Sequence, residues 1–124
     1  MAIAITSPAH GPSSGDGFII NATSFDASGC EELKAAPAAG KSIIINRLTI
    51  NNGANAISIT IGEGETTPGS ADSVLIGPIA MAANSSIQWD FGRVGGMALT
   101  AAKSLVVDAS GAGAICVFAM GRIE

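Results

Sequence analysis

Aromatic residues are scarce in this chain, at 4% of the sequence, and tyrosine is absent. Since the hydrophobic fraction is nevertheless 48%, the core has to consist mainly of Ile, Val, Leu and Ala. Charged residues are also few, at 13%, which is about half the usual share for a soluble domain. So few charges favour a surface that is covered by a partner or by copies of the chain. A polar surface rich in Ser, Thr and Asn is the alternative.

Positive charge is in short supply, with six Lys and Arg against ten Asp and Glu and a formal net charge of −4. This balance argues against nucleic acid and anionic membranes as direct partners. Apolar runs all fall short of the roughly 20 residues that span a bilayer. The first ten residues lack the basic start and long apolar core of a secretory signal. We therefore expect no nucleic-acid partner and no membrane partner.

Residues that carry out chemistry are few and scattered. The single histidine, His10, lies in a segment rich in Pro, Gly and Ser, which cannot hold it rigidly beside a nucleophile. The two cysteines, Cys30 and Cys116, are predicted to be free thiols in a reducing compartment. A disulfide between them remains open only if their Cα atoms approach within about 7 Å. Zinc needs three or four ligands, so we expect no catalytic residue, no metal site and no cofactor.

Two pairs of neighbouring acids could in principle serve a glycosidase. They are Glu31 with Glu32 and Glu63 with Glu65, and both pairs are predicted to lie in loops as solvated surface groups. Glu63, Glu65 and Asp72 also offer oxygen ligands of the kind that Ca²⁺ takes, but without the usual spacing of a calcium loop. Catalysis and calcium binding therefore stay open as alternatives to plain surface acids.

Residues 41–62 show the strongest structural pattern of the chain. Two runs rich in β-branched residues, 43–50 and 57–61, are joined by a polar turn of Asn and Gly, which suits a tight reversal. In the second run apolar and polar residues alternate, as in a strand with one buried face. In the first run the apolar positions change phase, which predicts either a β-bulge near Asn46 and Arg47 or burial on both faces.

Seven further segments have strand patterns, two of them with special positions. Gly77 and Pro78 interrupt one run and place it at a sheet edge, because proline cannot donate to a ladder. The run at 114–120 is apolar on both faces and is predicted to be a central strand or one covered by a neighbour. One helical turn is predicted at residues 31–36, within an irregular stretch from 26 to 40. The seven segments are 2–6, 18–25, 74–82, 87–91, 97–102, 105–109 and 114–120.

Eight or nine short strands without a convincing helix predict an all-β protein. Sixteen Gly and five Pro supply the turns that such a fold needs. We expect a two-sheet antiparallel sandwich, jelly-roll-like or immunoglobulin-like, over residues 18–124, preceded by a flexible N-terminal arm over residues 1–17. Trp89, the only tryptophan, lies between Ile87 and Phe91 in the alternation and is predicted to face the core. Stacking of Trp89 on a sugar is the alternative.

Three segments in the second half carry a family resemblance. They are GPIAMAANS at residues 77–85, TAAKSLVV at residues 100–107 and SGAGA at residues 110–114. Together with the 41–62 strands, their order resembles the small jelly-roll head decoration, or cement, proteins of tailed bacteriophages. The resemblance covers about residues 41–124 and consists of turn and core residues.

The resemblance implies a non-enzymatic virion protein. Such proteins are made in the host cytoplasm and sit on the capsid exterior, commonly as homotrimers, where they bridge subunits of the major capsid protein. By this resemblance the N-terminal arm contacts the shell, and Ile3, Ile5, Pro8, His10 and Pro12 are the expected contact residues. The alternative function is a virion carbohydrate-binding module for host attachment, which would use Trp89.

Overall fold

The computed structural model describes residues 3–6, 17–24, 28–92, 95–111 and 113–124. These residues form two antiparallel sheets. Sheet A has the order β1-β2-β10-β4-β7, with β8 beside β4, and sheet B has the order β3-β9-β5-β6. The strands are β1 (Ile3–Thr6), β2 (Gly17–Ser24), β3 (Ser28–Lys34), β4 (Ile43–Asn52), β5 (Ile57–Glu63), β6 (Ser73–Met81), β7 (Ser86–Asp90), β8 (Met97–Ala98), β9 (Leu105–Ser110) and β10 (Ile115–Ile123).

The eight main strands pair in a nested order. Strand β2 pairs with β10, β3 with β9, β4 with β7 and β5 with β6. The outermost strands in the chain thus pair with each other, and successive pairs alternate between sheets A and B. This is the winding of a jelly roll, in which a long folded hairpin is rolled into two sheets. The predicted two-sheet antiparallel sandwich is therefore confirmed.

The core lies between the sheets and is aliphatic, as the composition predicts. In β2, alternate residues are buried, and Phe18, Ile20 and Ala22 face inward. In β10 the inward residues are Ile115, Val117 and Ala119. From sheet B, the strands β5 and β9 supply buried Ile and Val side chains to the same cluster. Fully burying one such side chain contributes roughly 1.5–3 kcal/mol, so these alternating positions supply most of the drive to fold.

The two runs of the 41–62 segment lie in different sheets. Strand β4 belongs to sheet A and β5 to sheet B, so the predicted tight reversal between two paired strands is wrong. The Asn-rich connection instead crosses from one sheet to the other. Asn52 anchors it by donating from its side-chain amide to the carbonyls of Asn55, Met81 and Ala82 at 2.8, 3.3 and 3.0 Å.

The predicted bulge in β4 is confirmed. The register between β4 and β10 shifts so that Met120 pairs with Arg47 while Gly121 pairs with Ile45, which leaves Asn46 as the additional residue. A bulge moves every later side chain to the other face of the strand. Both Ile45 and Leu48 can therefore point into the core, although they are three residues apart.

One prediction between β2 and β4 is wrong. The helical turn predicted for residues 31–36 does not form, because residues 28–34 are the edge strand β3, which pairs with β9. Leu33 is the one large apolar side chain of this strand that is buried in the core, so the sequence shows no alternation there. The ladder with β9 therefore decides its conformation. Strand β8 is also shorter than the predicted run at 97–102.

Two other positional predictions are confirmed. Strand β6, which contains Gly77 and Pro78, lies at the edge of sheet B, and β10 lies in the middle of sheet A between β2 and β4. The short first strand, β1, pairs only with β2 and forms one edge of sheet A, and β7 forms the opposite edge. In the part of the chain that the structure describes, no helix reaches the length and apolarity that a membrane span requires.

Candidate functional site

The outer face of sheet A carries a strip of apolar side chains. Because the odd-numbered residues of β10 face the core, the even-numbered ones project outward, and these include Cys116, Phe118 and Met120. Ile19 of β2 lies beside Met120 in the ladder. All four side chains are only partly buried. We call Ile19, Cys116, Phe118 and Met120 the apolar strip.

Polar side chains frame the apolar strip. Asn21 and Thr23 flank it on β2, and Thr49 and Asn51 flank it on β4. Cys116 donates to the Asn21 Oδ1 at 3.3 Å. An apolar centre within a polar rim is the usual anatomy of a protein–protein interface.

The charges on this face are already neutralised. Arg47 of β4 pairs with Asp90 of β7 across a 3.2 Å Nη2–Oδ2 contact. The Gly92 backbone N–H and the Arg47 guanidinium both bond the Asp90 carboxylate, and they lower its pKa. Among the described residues, this face therefore presents apolar surface without unpaired charge, so a partner packing on them leaves no isolated ion without water.

The outer face of sheet B has the opposite character. Val106 points outward yet is fully buried, because the loop at 64–72 lies over this face. A Cβ added at Gly62 would meet the Ala71 Cβ at 2.7 Å and the Val106 Cγ2 at 3.5 Å, which shows how closely the loop packs. On sheet A, Gly96 lies against the outward Ile44, which is only 7% exposed, whereas the apolar strip on the same face is only partly buried.

Acidic groups surround Cys30 on the outer face of sheet B. Burial, followed by a hydrogen bond and repulsion from Glu65, raises the pKa of the Cys30 thiol to about 12. Asp108, opposite Cys30 in the ladder, has a raised pKa because of burial and then the Glu65 carboxylate. A thiol that resists deprotonation is a poor nucleophile, so this cluster does not activate Cys30.

The two cysteines are free, as predicted. Their ladder positions place Cys30 on the outer face of sheet B and Cys116 on the outer face of sheet A. The whole core separates the two faces, and the sheets of a sandwich lie about 10 Å apart. An internal disulfide is therefore excluded.

The predicted acidic pairs do not converge on a common point. Glu31 and Glu32 lie within β3 rather than in a loop, and neighbouring residues of a strand point to opposite faces. Glu63 ends β5, is 6% exposed, and accepts hydrogen bonds from the Thr100 N–H and hydroxyl. Since Glu65 lies beside Cys30, these acids form no paired glycosidase arrangement.

The calcium alternative depends on Glu63, Glu65 and Asp72, which bond to separate groups. Asp72 accepts from the Thr66 N–H and hydroxyl at 2.9 and 2.7 Å and pairs with Lys103 at 2.9 Å. Glu63 and Glu65 are directed toward Thr100 and Cys30. Within the described residues, no group of three or more His, Cys, Asp and Glu side chains is arranged to hold a metal ion.

The structure describes only part of the predicted contact arm. Ile3 and Ile5 lie in β1, which is hydrogen-bonded to β2, and Ile5 is 44% exposed. Pro8, His10 and Pro12 lie outside the described residues. The part of the arm that the structure describes is therefore an edge strand of sheet A, next to the strand that contributes Ile19.

Trp89 packs against the core cluster from β7 and is partly buried. It pairs with the fully buried Leu48, so its ring lies on the inner side of sheet A. A sugar-binding platform requires an outward ring face, and this position does not provide one.

Comparison with models of protein families, with curated proteins and with solved structures finds no match for this chain.

Two surface features were missed by reading the sequence. The run at 114–120 is apolar on both faces, which is the sequence signal for the apolar strip. The same pattern is also expected for a strand that a neighbour covers on its outer face, so it does not identify a surface. The second feature is a cleft beside Lys34 and Lys41. It had no local signal, because segments distant in the sequence form it.

Proposed function

We propose that this protein is a non-enzymatic virion structural protein that decorates a phage capsid and stabilises it by bridging capsid subunits. The observation that supports this most is the apolar strip on the outer face of sheet A, where Arg47 and Asp90 are paired with each other. The sequence resemblance to cement proteins supplies the kind of partner, the major capsid protein, and the homotrimeric state. The jelly-roll sandwich is consistent with that resemblance.

The mechanism needs only burial of surface. Four strands of about eight residues present a face of about 500 Å² in projection, and side-chain relief raises its accessible area. A standard interface takes about 800 Å² from each partner, so one face of sheet A is large enough for a stable contact. In a trimer, three such contacts act together, and the linked sites bind far more tightly than one site alone.

The arrangement of sheet A adds to this argument. Strand β1 continues the same sheet beyond β2, and its exposed Ile5, which pairs with the inward Ala22, lies at the edge on the inner side of that sheet. The proposed arm and the apolar strip therefore belong to one continuous sheet, which we assign to the side that faces the shell. Sheet B, with its own covering loop and acidic groups, faces solvent.

Binding to shells assembled from the major capsid protein of the same genome tests the proposal. We expect saturable cosedimentation of the wild-type protein, weakened at least about tenfold when Phe118 and Met120 are both replaced by Thr. Thr keeps the strand propensity while removing apolar area. Val74→Thr is the matched control, because Val74 is a 58% exposed apolar residue of sheet B; it should leave binding unchanged.

Two results would contradict the proposal. If the wild-type protein does not associate with shells, the decorating role fails. If the Phe118 and Met120 replacements bind as the wild type does while remaining folded by circular dichroism, the assignment of sheet A fails.

A further inference from the structure

A cleft of about 440 Å³ opens at one end of the sandwich. It lies where β2 begins, where β3 and β10 end, and where the chain crosses from β3 to β4. The crossing segment contains four alanines at positions 35, 36, 38 and 39, whose short side chains leave space in front of Phe18. We call this site the lysine cleft, and its walls include Phe18, Lys34, Ala36, Pro37, Lys41 and Ile123.

Backbone hydrogen bonds hold the walls of the lysine cleft in place. Ser42 and Glu124 exchange two of them, at 2.6 and 2.9 Å, and so join the crossing segment to the end of β10. The Lys41 N–H donates to the Ala38 carbonyl at 3.0 Å and closes a turn. Gly40 has a φ of +81°, which glycine adopts without strain. The cleft is therefore formed before any partner arrives.

The lysine cleft also collects the positive charge that forms no ion pair within the described part of the chain. Three basic side chains make ion pairs: Arg47 with Asp90, Lys103 with Asp72 and Arg122 with Glu124. Among the described basic residues, the remaining two are Lys34 and Lys41, and both line the cleft. Lys34 places its ammonium 5.0 Å from the centre of the Phe18 ring, which steadies the charge without neutralising it.

The chemistry of the walls defines what fits. The ammonium groups favour an anion, and the Ala, Pro, Phe and Ile surfaces favour a small apolar group next to it. A pocket for a small metabolite also needs several convergent polar groups that fix its orientation, and apart from the two lysines the lining side chains are apolar. An open apolar cleft with charge at its rim suits an extended peptide instead.

We propose that the lysine cleft binds an acidic side chain of an extended segment of the partner protein, with an aliphatic residue such as Leu beside it. This inference rests on the proposed function, since it takes the shell protein as the source of the segment. The peptide carboxylate lies between Lys34 and Lys41, and its apolar neighbour packs on Pro37 and Ile123.

Titration of the ¹⁵N-labelled full chain with two capped tetrapeptides tests this. Ac-Ala-Leu-Glu-Ala-NH₂ should shift the amide signals of Ala35, Ala36 and Ala38, with a dissociation constant of about 1 mM, as a contact of this size allows. Ac-Ala-Leu-Gln-Ala-NH₂ differs only in charge and should bind at least about tenfold more weakly. Equal binding of the two peptides, or no shift with either, would overturn the proposal.

Variants of the cleft and a small carboxylate ligand serve as controls for the peptide titration. Replacing Lys34 and Lys41 together by Gln should weaken binding of the Glu peptide at least about tenfold. Ala36→Leu, which fills the cleft without changing charge, should do the same, whereas Arg47→Gln removes a distant positive charge and should have no effect. If butanoate binds as tightly as the Glu peptide, the site serves small carboxylates and the assignment of a protein segment is overturned.

Shell binding separates this inference from the proposed function. If the double lysine variant binds shells at least about tenfold more weakly than the wild type, the inference is supported. Unchanged shell binding of this variant overturns the inference and leaves the decorating role intact. If the wild type itself does not bind shells, the decorating role fails, and with it the shell protein as source; the peptide titration then decides whether the cleft binds an acidic segment.

Discussion

Glu63 is an acidic residue that the fold buries at the end of β5. The residue is 6% exposed, and Thr100 donates to both carboxylate oxygens through its N–H and hydroxyl. Burying a carboxylate is costly unless hydrogen bonds replace the lost water, and bonds to a charged acceptor are among the strongest. Glu63 therefore fastens the segment before β9 to the end of β5, and its role is structural.

Replacing Glu63 by Gln should destabilise the fold by about 1–3 kcal/mol. The amide has one acceptor oxygen where the carboxylate has two, so its NH₂ group would face either the Thr100 N–H or the Thr100 hydroxyl, which both donate to Glu63. Urea unfolding of the variant and the wild type measures the difference. Thr100→Ser keeps both donors and should change stability by less than about 0.5 kcal/mol. If Glu63→Gln leaves the unfolding midpoint unchanged, the contact between Glu63 and Thr100 does not stabilise the fold.

Cys30 should be unreactive in the folded protein, because burial and Glu65 raise its thiol pKa to about 12 from the ordinary 9.0. In a Cys116→Ser background, iodoacetamide at pH 8.5 should modify Cys30 at least about tenfold more slowly in the native state than in urea, since only the thiolate reacts. Glu65→Gln should increase the native rate. Equal rates in the native and unfolded states would contradict the assigned environment.

Among the elements, the 64–72 loop shows how polar residues become ordered. The Gly64 N–H donates to the Ser104 carbonyl at 2.9 Å, and the Asp72 N–H donates to the Gly64 carbonyl at 2.8 Å. At Gly64, whose φ is +72°, an added Cβ would collide with the Asp72 carboxylate. The loop is thus organised around Asp72, which bonds Thr66 and Lys103.

The stabilising effect of Asp72 should disappear in acid. The Thr66 hydroxyl, then Lys103, lowers its pKa to about 2 from the ordinary 3.8. A lowered folded-state pKa means that the unfolded chain takes up the proton first, so the stabilisation is full above pH 3.8 and is lost as the pH falls toward 2. The gap in unfolding free energy between wild type and Asp72→Asn should therefore shrink across this window.

Urea unfolding at several pH values measures this gap. Lys103→Gln should reproduce part of the loss seen in Asp72→Asn at neutral pH, because it removes the same ion pair. A gap that stays constant from pH 6 to pH 2 would be inconsistent with the Asp72 contacts.

The bulge between β4 and β10 requires a glycine on the opposite strand. Gly121 lies opposite the bulge, and an added Cβ would collide with the Ile44 carbonyl oxygen and meet the Phe18 ring at 3.0 Å. Gly121→Ala should therefore cost about 2–3 kcal/mol through forced shifts of the ladder. Urea unfolding provides the measurement.

Gly111→Ala is the control for Gly121→Ala, because the atom nearest its added Cβ is the Ile57 Cγ2 at 4.0 Å. It should change stability by less than about 0.5 kcal/mol. Similar effects of the two substitutions would mean that backbone freedom, and not the close approach to β4, explains the glycine at 121.

At the scale of the whole molecule, the outer faces of the two sheets differ in the kind of surface that they offer to a partner. Sheet A carries the partly buried apolar strip on its outer face, and sheet B carries Glu65 and Asp108 beside a covering loop. Surface of the first kind is usually removed from water by a partner, whereas surface of the second kind stays solvated. We therefore expect the broad contact with a partner to form on the outer face of sheet A rather than on that of sheet B.

The solution mass of the purified protein should correspond to three chains of 12.2 kDa, about 37 kDa, if the trimeric state implied by the resemblance applies. Light scattering after gel filtration measures it, and dilution should lower the melting temperature, since assembly stabilises by mass action. A mass of one chain at every concentration would remove the homotrimer from the proposal and leave shell binding to be tested by itself.

Local pattern was sufficient to predict much of the sandwich. The edge position of β6 followed from Pro78, the bulge near Asn46 from a change of phase, and the central place of β10 from two apolar faces. Strand β3 was missed because Leu33 is its one large apolar residue in the core, so its conformation comes from pairing with β9. The candidate surfaces were beyond prediction, because sequence periodicity does not say which face of a strand a neighbour covers.

By itself, the sequence determined the class of the fold and its aliphatic core. The physical reason is that periodicity and composition act between neighbours along the chain. Only the tertiary structure decided that β4 and β5 belong to opposite sheets, that Cys30 and Cys116 lie on opposite faces, and that Lys34 and Lys41 share one cleft. Those outcomes depend on the nested pairing of strands that are distant in the sequence, which no local pattern encodes.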